Sequence, residues 1–320
     1  MTAPELKDTG LLAPRRLAIQ LLGFLVGLVL LAWCVKGAVE GGDWTKLAHS
    51  SPWLIVGMLG CTGVSTLANG AMFWITIRSI KPLRFGHMQW LNLVGNLLNY
   101  APIRLGAIAR VVYHLRVDRL GLLQIGAWFT FNGYLLALSV GACLLATLVR
   151  SRIDLVWVLL VLGQMILGGL TIRTLAGNRL LIRHGGGIDR VVADHRAVWG
   201  GVVLRLLDLA AFTGRMAVAM AILDIDLSAA HTVVLAVVAL AASLIPFGRL
   251  GFREFCVAIT AQRLTMLAED VESNMQQLAL VESAGEALVF IPLGAAALLW
   301  YRRRMMHAWA ASPDAEEAAP

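Results

Sequence analysis

The sequence predicts an all-α integral membrane protein: about six full transmembrane helices plus two oppositely oriented re-entrant helical hairpins, in an inverted-repeat, transporter-like plan. Three observations lead there. The 320 residues are 58% hydrophobic and only 15% charged, against about a quarter charged in a soluble domain, and the mean hydropathy is +0.74. Apolar runs long enough to cross a bilayer, roughly 17–25 residues each, recur along the chain. Two further apolar segments are broken by proline, glycine and arginine: "NYAPIRLGAIAR" from Asn99 to Arg110 and "SLIPFGRLGFRE" from Ser243 to Glu254.

Residues 1–16 form a short N-terminal segment before the first span, Leu17–Val35. This apolar run is too long for the core of a signal peptide, and "LAWCVKGAVE" offers no small-residue cleavage site. Trp33 directly before Cys34 also argues against lipoprotein-type processing, so a retained anchor is expected. The next full spans are Trp53–Ile77, Gly121–Val149, Leu155–Ile172, Val198–Leu223 and Ala279–Tyr301, with the broken segments at about Gly86–Asp118 and Ala229–Arg263. His184, before "GGG", is expected in a loop. Residues 17–304 make one transmembrane domain, and 305–320 a disordered tail.

Charge sets the orientation, because cytoplasmic loops collect lysine and arginine. With the N-terminus in the cytoplasm, sixteen of the 27 basic residues fall inside, including Arg78, Lys81, Arg84, Arg116, Arg119, the arginines from Arg173 to Arg196 and the run Arg302–Arg304; five fall outside. Both termini are then cytoplasmic in a multi-pass protein of the cytoplasmic (inner) membrane. This count requires that neither broken segment crosses; otherwise the arginines from Arg173 to Arg196 face outward. The first segment then dips in from the cytoplasm and the second from outside. Residues 53–149 and 198–301 become repeat-like units of opposite orientation. Inverted repeats with broken helices at the midplane are a recurring plan of secondary transporters. Irregular backbone at that depth is tolerated only where it is buried in protein or lines a polar cavity.

The breaks therefore locate the candidate substrate site. Six arginines, Arg104, Arg110, Arg205, Arg215, Arg249 and Arg253, and four acids, Asp208, Glu254, Glu282 and Glu286, lie within membrane segments, where charge is costly and by default functional. Pro102 cannot continue a helix and Gly106 permits close approach, so a half-helix is expected to start near Leu105. Arg104 would stand at its N-terminus, where anions are favoured. Pro246, Gly248, Gly251 and Arg253 repeat the arrangement from the opposite side, and the planar arginine fork suits phosphate. Asn92, Asn96 and Asn99 share one helical face; interhelical hydrogen bonding is expected of Asn92, and cavity lining of Asn96 and Asn99. Arg205 and Asp208, three apart, can pair. Glu282 and Glu286 share a face and either meet the Arg253 region or bind a cation.

No metal or cofactor is expected. The four cysteines lack paired spacing and the seven histidines lack ligand spacing. No Gly-x4-Gly-Lys-Ser/Thr phosphate loop occurs, and nothing points to nucleic acid.

At the two breaks the chain resembles the lysylphosphatidylglycerol synthase transmembrane-region family, a flippase-domain family of membrane proteins. "GNLLNYAPIRLGAIAR", Gly95–Arg110, is similar to the family's Asn…Pro-x-Arg-x-Gly-acid…Arg pattern, and "LIPFGRLGFRE", Leu244–Glu254, to its Pro-x-Gly-x-x-Gly-x-Arg-Glu pattern. The likeness covers roughly residues 17–304. Two positions depart from it: Ala107 stands where the acid belongs, and Arg249 where a small residue is usual. The resemblance implies translocation of an anionic or zwitterionic lipid, or a lipid-linked precursor, through a polar, arginine-lined cavity. No catalytic residues are expected, since the residues after the last span leave no room for the soluble aminoacyl-transferase domain of fused relatives and a synthase is not expected. The alternatives are a membrane-embedded enzyme using Asp208 or Glu254 as general base, or an accessory subunit beside lipid- or polysaccharide-pathway enzymes.

Overall fold

The computed structural model describes residues 14–101, 105–243, 245, 250–266 and 275–310. All regular structure among these residues is helical. In chain order the helices are α1 (Pro14–Gly41), α2 (Trp44–Ala48), α3 (Pro52–Ile77), α4 (Phe85–Leu98), α5 (Leu105–Arg116), α6 (Leu122–Val149), α7 (Leu155–Thr174), α8 (Arg179–His184), α9 (Ile188–Ala193), α10 (His195–Leu223), α11 (Ala229–Ala242), α12 (Phe252–Met266) and α13 (Met275–Ala310). Six of them, α1, α3, α6, α7, α10 and α13, are long and apolar enough to cross a membrane. The protein is a multi-pass, all-helical membrane protein. Large apolar side chains such as Leu22, Leu25, Val29, Leu148, Val149 and Leu167 are exposed on α1, α6 and α7. In water such a surface would aggregate; in a bilayer it meets lipid.

Three spans are longer than the apolar runs that announced them. α1 continues past Val35 to Gly41, where Lys36 and Glu40 form an i,i+4 pair at 3.8 Å. α10 starts at His195 because Asp194 caps it, accepting the Arg196 amide at 2.9 Å. α13 runs through Ala310, into the segment expected to be tail, since arginine is a good helix former and a cation suits a helix C-terminus. Residues 311–320 lie outside the described residues. The loop containing "GGG" carries two helices that periodicity missed, and His184 closes the first of them. Burial pushes the Asp194 carboxyl up, yet hydrogen bonds from Ser79 and the Arg196 and Ala197 amides, with Arg78 nearby, outweigh this and hold it below the ordinary carboxylate range.

α3 and α10 pack side by side at the centre, where Gly200 meets Ile75 and Gly214 meets Cys61. The two arms of each broken segment are short. α4 and α5 have 14 and 12 residues, and α11 and α12 have 14 and 15. At 1.5 Å per residue these are about 18–22 Å long, less than the roughly 30 Å of hydrocarbon. Lys81 Nζ, before α4, donates to the Asp118 carbonyl, after α5, at 2.5 Å. α4 follows α13 inward, from His87 against Trp300 (5.5 Å between ring centroids) to Leu97 against Gly294.

The two helices of the first broken segment meet where Gly95 faces Gly106: a Cβ at Gly106 would lie 2.0 Å from the Gly95 carbonyl oxygen. Gly251 precedes α12 with φ +85°, and a Cβ there would lie 1.6 Å from the Gly27 carbonyl oxygen in α1. From that contact α12 runs alongside α1, bringing Phe255 edge-on to Trp33 at 5.5 Å.

Candidate functional site

Near the midpoints of α3, α6 and α10 lies a cavity of about 360 Å³. Both broken segments reach it. The first contributes Asn96, Asn99, Ala107 and Arg110, and the second Leu240, Ser243 and Ile245. The spans complete the wall: Ser65, Thr66, Asn69 and Phe73 from α3; Phe129, Asn132, Gly133 and Leu136 from α6; Arg205, Asp208, Phe212 and Arg215 from α10; Glu286 and Phe290 from α13. The volume is at the small end of the roughly 300–1,000 Å³ typical of ligand sites, enough for a headgroup and not for acyl chains.

Most of the buried charge is paired. Arg215 Nε donates to Glu282 Oε1 at 2.7 Å, and its Nη2 lies 3.0 Å from Glu286 Oε2. Arg253 binds the same two carboxylates, one through each terminal nitrogen. Two arginines and two glutamates thus alternate in a closed, fully buried ring that ties α10 and α12 to α13. The Phe212 ring carries the Arg215 guanidinium at 4.2 Å and that of Arg253 at 5.3 Å. Arg205 Nη1 donates to Asp208 at 2.6 Å, and Asp208 also accepts from Ser65 Oγ at 2.5 Å.

Arg110 is different. Its side chain comes from α5, is 8% exposed and lines the cavity. One terminal nitrogen donates to Asn92 Oδ1 at 3.0 Å and, at 3.5 Å, to Asn96 Oδ1. The guanidinium lies over Phe73 at 4.9 Å. Its Nε has no hydrogen-bond partner, and among the described residues no carboxylate pairs with it. A buried cation held only by neutral groups is a costly arrangement and an open position for an anion.

The predicted site residues divide accordingly. Asn96, Asn99, Arg110, Asp208 and Glu286 line the cavity, with Asp208 and Glu286 already bound to arginine. Arg253 and Glu282 stand behind the wall in the buried ring. Glu254 closes the start of α12 instead: it accepts the Gly251 amide at 2.7 Å and Ser283 Oγ at 2.5 Å. Gly106 and Gly251 mark the two close backbone approaches. Arg104, Arg249, Pro102, Pro246 and Gly248 lie outside the described residues. Asn92 crosses between helices, its Nδ2 donating to the Thr66 carbonyl at 3.1 Å.

Sequence reasoning missed Ser65, Asn69 and Asn132, and named Arg205 and Arg215 as membrane-embedded charges without placing them on the substrate site. A signal existed: "ANG" (Ala68–Gly70) and "FNG" (Phe131–Gly133) place an amide in the middle of spans that are otherwise apolar. Comparison of the chain with family models, curated proteins and solved structures gives no match.

Proposed function

We propose that this protein is a lipid translocator of the lysylphosphatidylglycerol synthase transmembrane-region type. The two broken segments are re-entrant hairpins of opposite orientation, the units 53–149 and 198–301 are inverted repeats, and both termini face the cytoplasm. The Lys81–Asp118 bond, which joins the feet of the first hairpin, supports this plan. So does the course of α12 along α1 away from Gly27 and towards Trp33. A lipid headgroup crosses through the cavity while its tails stay in the bilayer, and the two hairpin tips gate the two sides.

One observation carries the proposal: Arg110, buried on the wall of a mid-height cavity with no carboxylate paired to it among the described residues. An anionic headgroup supplies the missing counter-charge during passage. Asp208 and Glu254, the candidate bases of an enzyme, are each held in two hydrogen bonds within the protein, which favours transport over catalysis. The test is reconstitution in liposomes with phosphatidylglycerol fluorescently labelled on an acyl chain and dithionite quenching of the outer leaflet. Protein-dependent loss of the protected inner-leaflet signal, without nucleotide, is expected. Chemical conversion of the lipid in the same vesicles would instead establish an enzyme, and neither movement nor conversion would leave an accessory subunit.

A further inference from the structure

We infer that the cavity selects a phosphate-ester headgroup that carries free hydroxyls and no amine, such as a glycerol- or sugar-phosphate. This rests on the lipid-translocation reading and narrows its substrate class, away from the ammonium-bearing aminoacyl headgroups that the family resemblance brings with it.

Three buried atoms without a hydrogen-bond partner, each on a side chain of the cavity wall, define the ligand. Arg110 offers a cation on the wall, and its Nε, packed against Gly95, makes no hydrogen bond. Asn132, on the wall of the same cavity, donates its amide nitrogen to Thr76 Oγ1 at 3.1 Å and to the Trp128 carbonyl at 2.8 Å, leaving its Oδ1 buried without a donor. Arg205 Nε is likewise buried without an acceptor. A ligand that satisfies this set presents anionic oxygens to the guanidinium groups and a hydroxyl hydrogen to Asn132. The amides of Asn69, Asn96 and Asn99 line the same cavity and suit further hydroxyls.

An ammonium group finds no equivalent place. The described carboxylates on the wall are Asp208, bound by Arg205 and Ser65, and Glu286, bound by Arg215 and Arg253. The faces of Phe73 and Phe212, which could otherwise hold a cation, already hold guanidinium groups. Position 107 is alanine and lies on the wall, so it supplies no acid. An amine would therefore enter, beside guanidinium groups that its own phosphate must already offset, with only neutral acceptors, and a second cation without a charged partner in a low-dielectric site is disfavoured.

The experiment is native mass spectrometry of the full-length protein in mixed micelles. Equimolar dioleoyl phosphatidylglycerol, phosphatidylethanolamine and lysyl-phosphatidylglycerol compete, and soluble glycerol 3-phosphate is added in a separate arm. Phosphatidylglycerol should be retained about tenfold or more over either amine-bearing lipid, the ratio expected when a buried ammonium is left without a charged partner. Arg110→Gln should bring the ratio near parity, and Ala107→Asp, which adds a carboxylate to the wall, should shift retention towards the amines. Equal or preferred retention of the amine-bearing lipids by the wild-type protein, or an unchanged ratio in both variants, overturns the inference. Selective phosphatidylglycerol retention with no leaflet exchange in liposomes would sustain the headgroup assignment and remove the translocator. Glycerol 3-phosphate binding without lipid binding would do the same and point to a soluble ester.

Discussion

Arg253→Met perturbs the buried ring of charge, and its cost follows from the geometry. In the wild-type protein two guanidinium groups serve two carboxylates, with Arg215 2.7 Å from Glu282 and 3.0 Å from Glu286. Removing Arg253 takes from both acids a cation that each binds directly, and among the described residues leaves more negative than positive charge in a fully buried cluster. Breaking a buried pair from one side costs about 3–5 kcal/mol. Methionine keeps much of the apolar contact with Phe212, so the loss is mainly electrostatic. The assay is reversible unfolding in mixed micelles with increasing SDS, followed by far-ultraviolet circular dichroism. Arg253→Met should lose about 3–5 kcal/mol, and adding Glu282→Gln should restore about 1–3 kcal/mol, the coupling typical of contacting residues. Arg110→Gln strands no acid and loses mainly its bonds to neutral amides, so it should cost only about 1 kcal/mol. Arg253→Met within about 1 kcal/mol of wild type, or Arg110→Gln as damaging as Arg253→Met, would refute the division between structural and ligand-facing arginines.

Other outcomes are expected from the same geometry. In a cysteine-free background, single cysteines at Arg84 and Arg116 should label from the cytoplasm, and those at Asp226 and Arg263 from outside; labelling of Asp226 and Arg263 from opposite faces would make the second broken segment a true span. Gly251→Ala should lower the unfolding midpoint in the same SDS titration, by at least the roughly 1–3 kcal/mol of a strained positive φ, because its methyl also meets the Gly27 carbonyl at 1.6 Å. Asp194→Asn should be less stable than wild type at neutral pH. The depressed folded-state pKa of Asp194 confers stability that is complete above the unfolded value of about 3.9 and disappears as pH falls through the folded value. The wild-type advantage in thermal melts should therefore vanish in acid, and a constant advantage across pH would contradict the linkage.

The spans were legible because membrane crossing is written in composition: α3, α6 and α7 begin or end within a residue or two of the apolar runs that announced them. The helix break before Leu105 was legible through Pro102, since proline acts locally. Partner choice was not. Glu282 and Glu286 could be placed on one face by their spacing, but Arg215 is 67 residues from Glu282 in sequence, and only the packing of α10 on α13 joins them. The cavity wall assembles from residues on α3, α4, α5, α6, α10, α11 and α13, so Asn132 shows its importance only when Arg110 shares the cavity with it. α2, α8 and α9 are too short to carry a periodic pattern and are set by local features, such as Asp43 accepting the Thr45 amide at 3.0 Å.

The rate of leaflet exchange of phosphatidylglycerol in proteoliposomes, compared between wild type and Arg110→Gln at equal reconstituted amounts, bears most directly on the central claim. A cavity in which Arg110 supplies the counter-charge for a crossing headgroup requires the wild type to exchange lipid without nucleotide, and the variant to do so about tenfold more slowly or worse. Equal rates in the two proteins would show that headgroups do not cross beside Arg110.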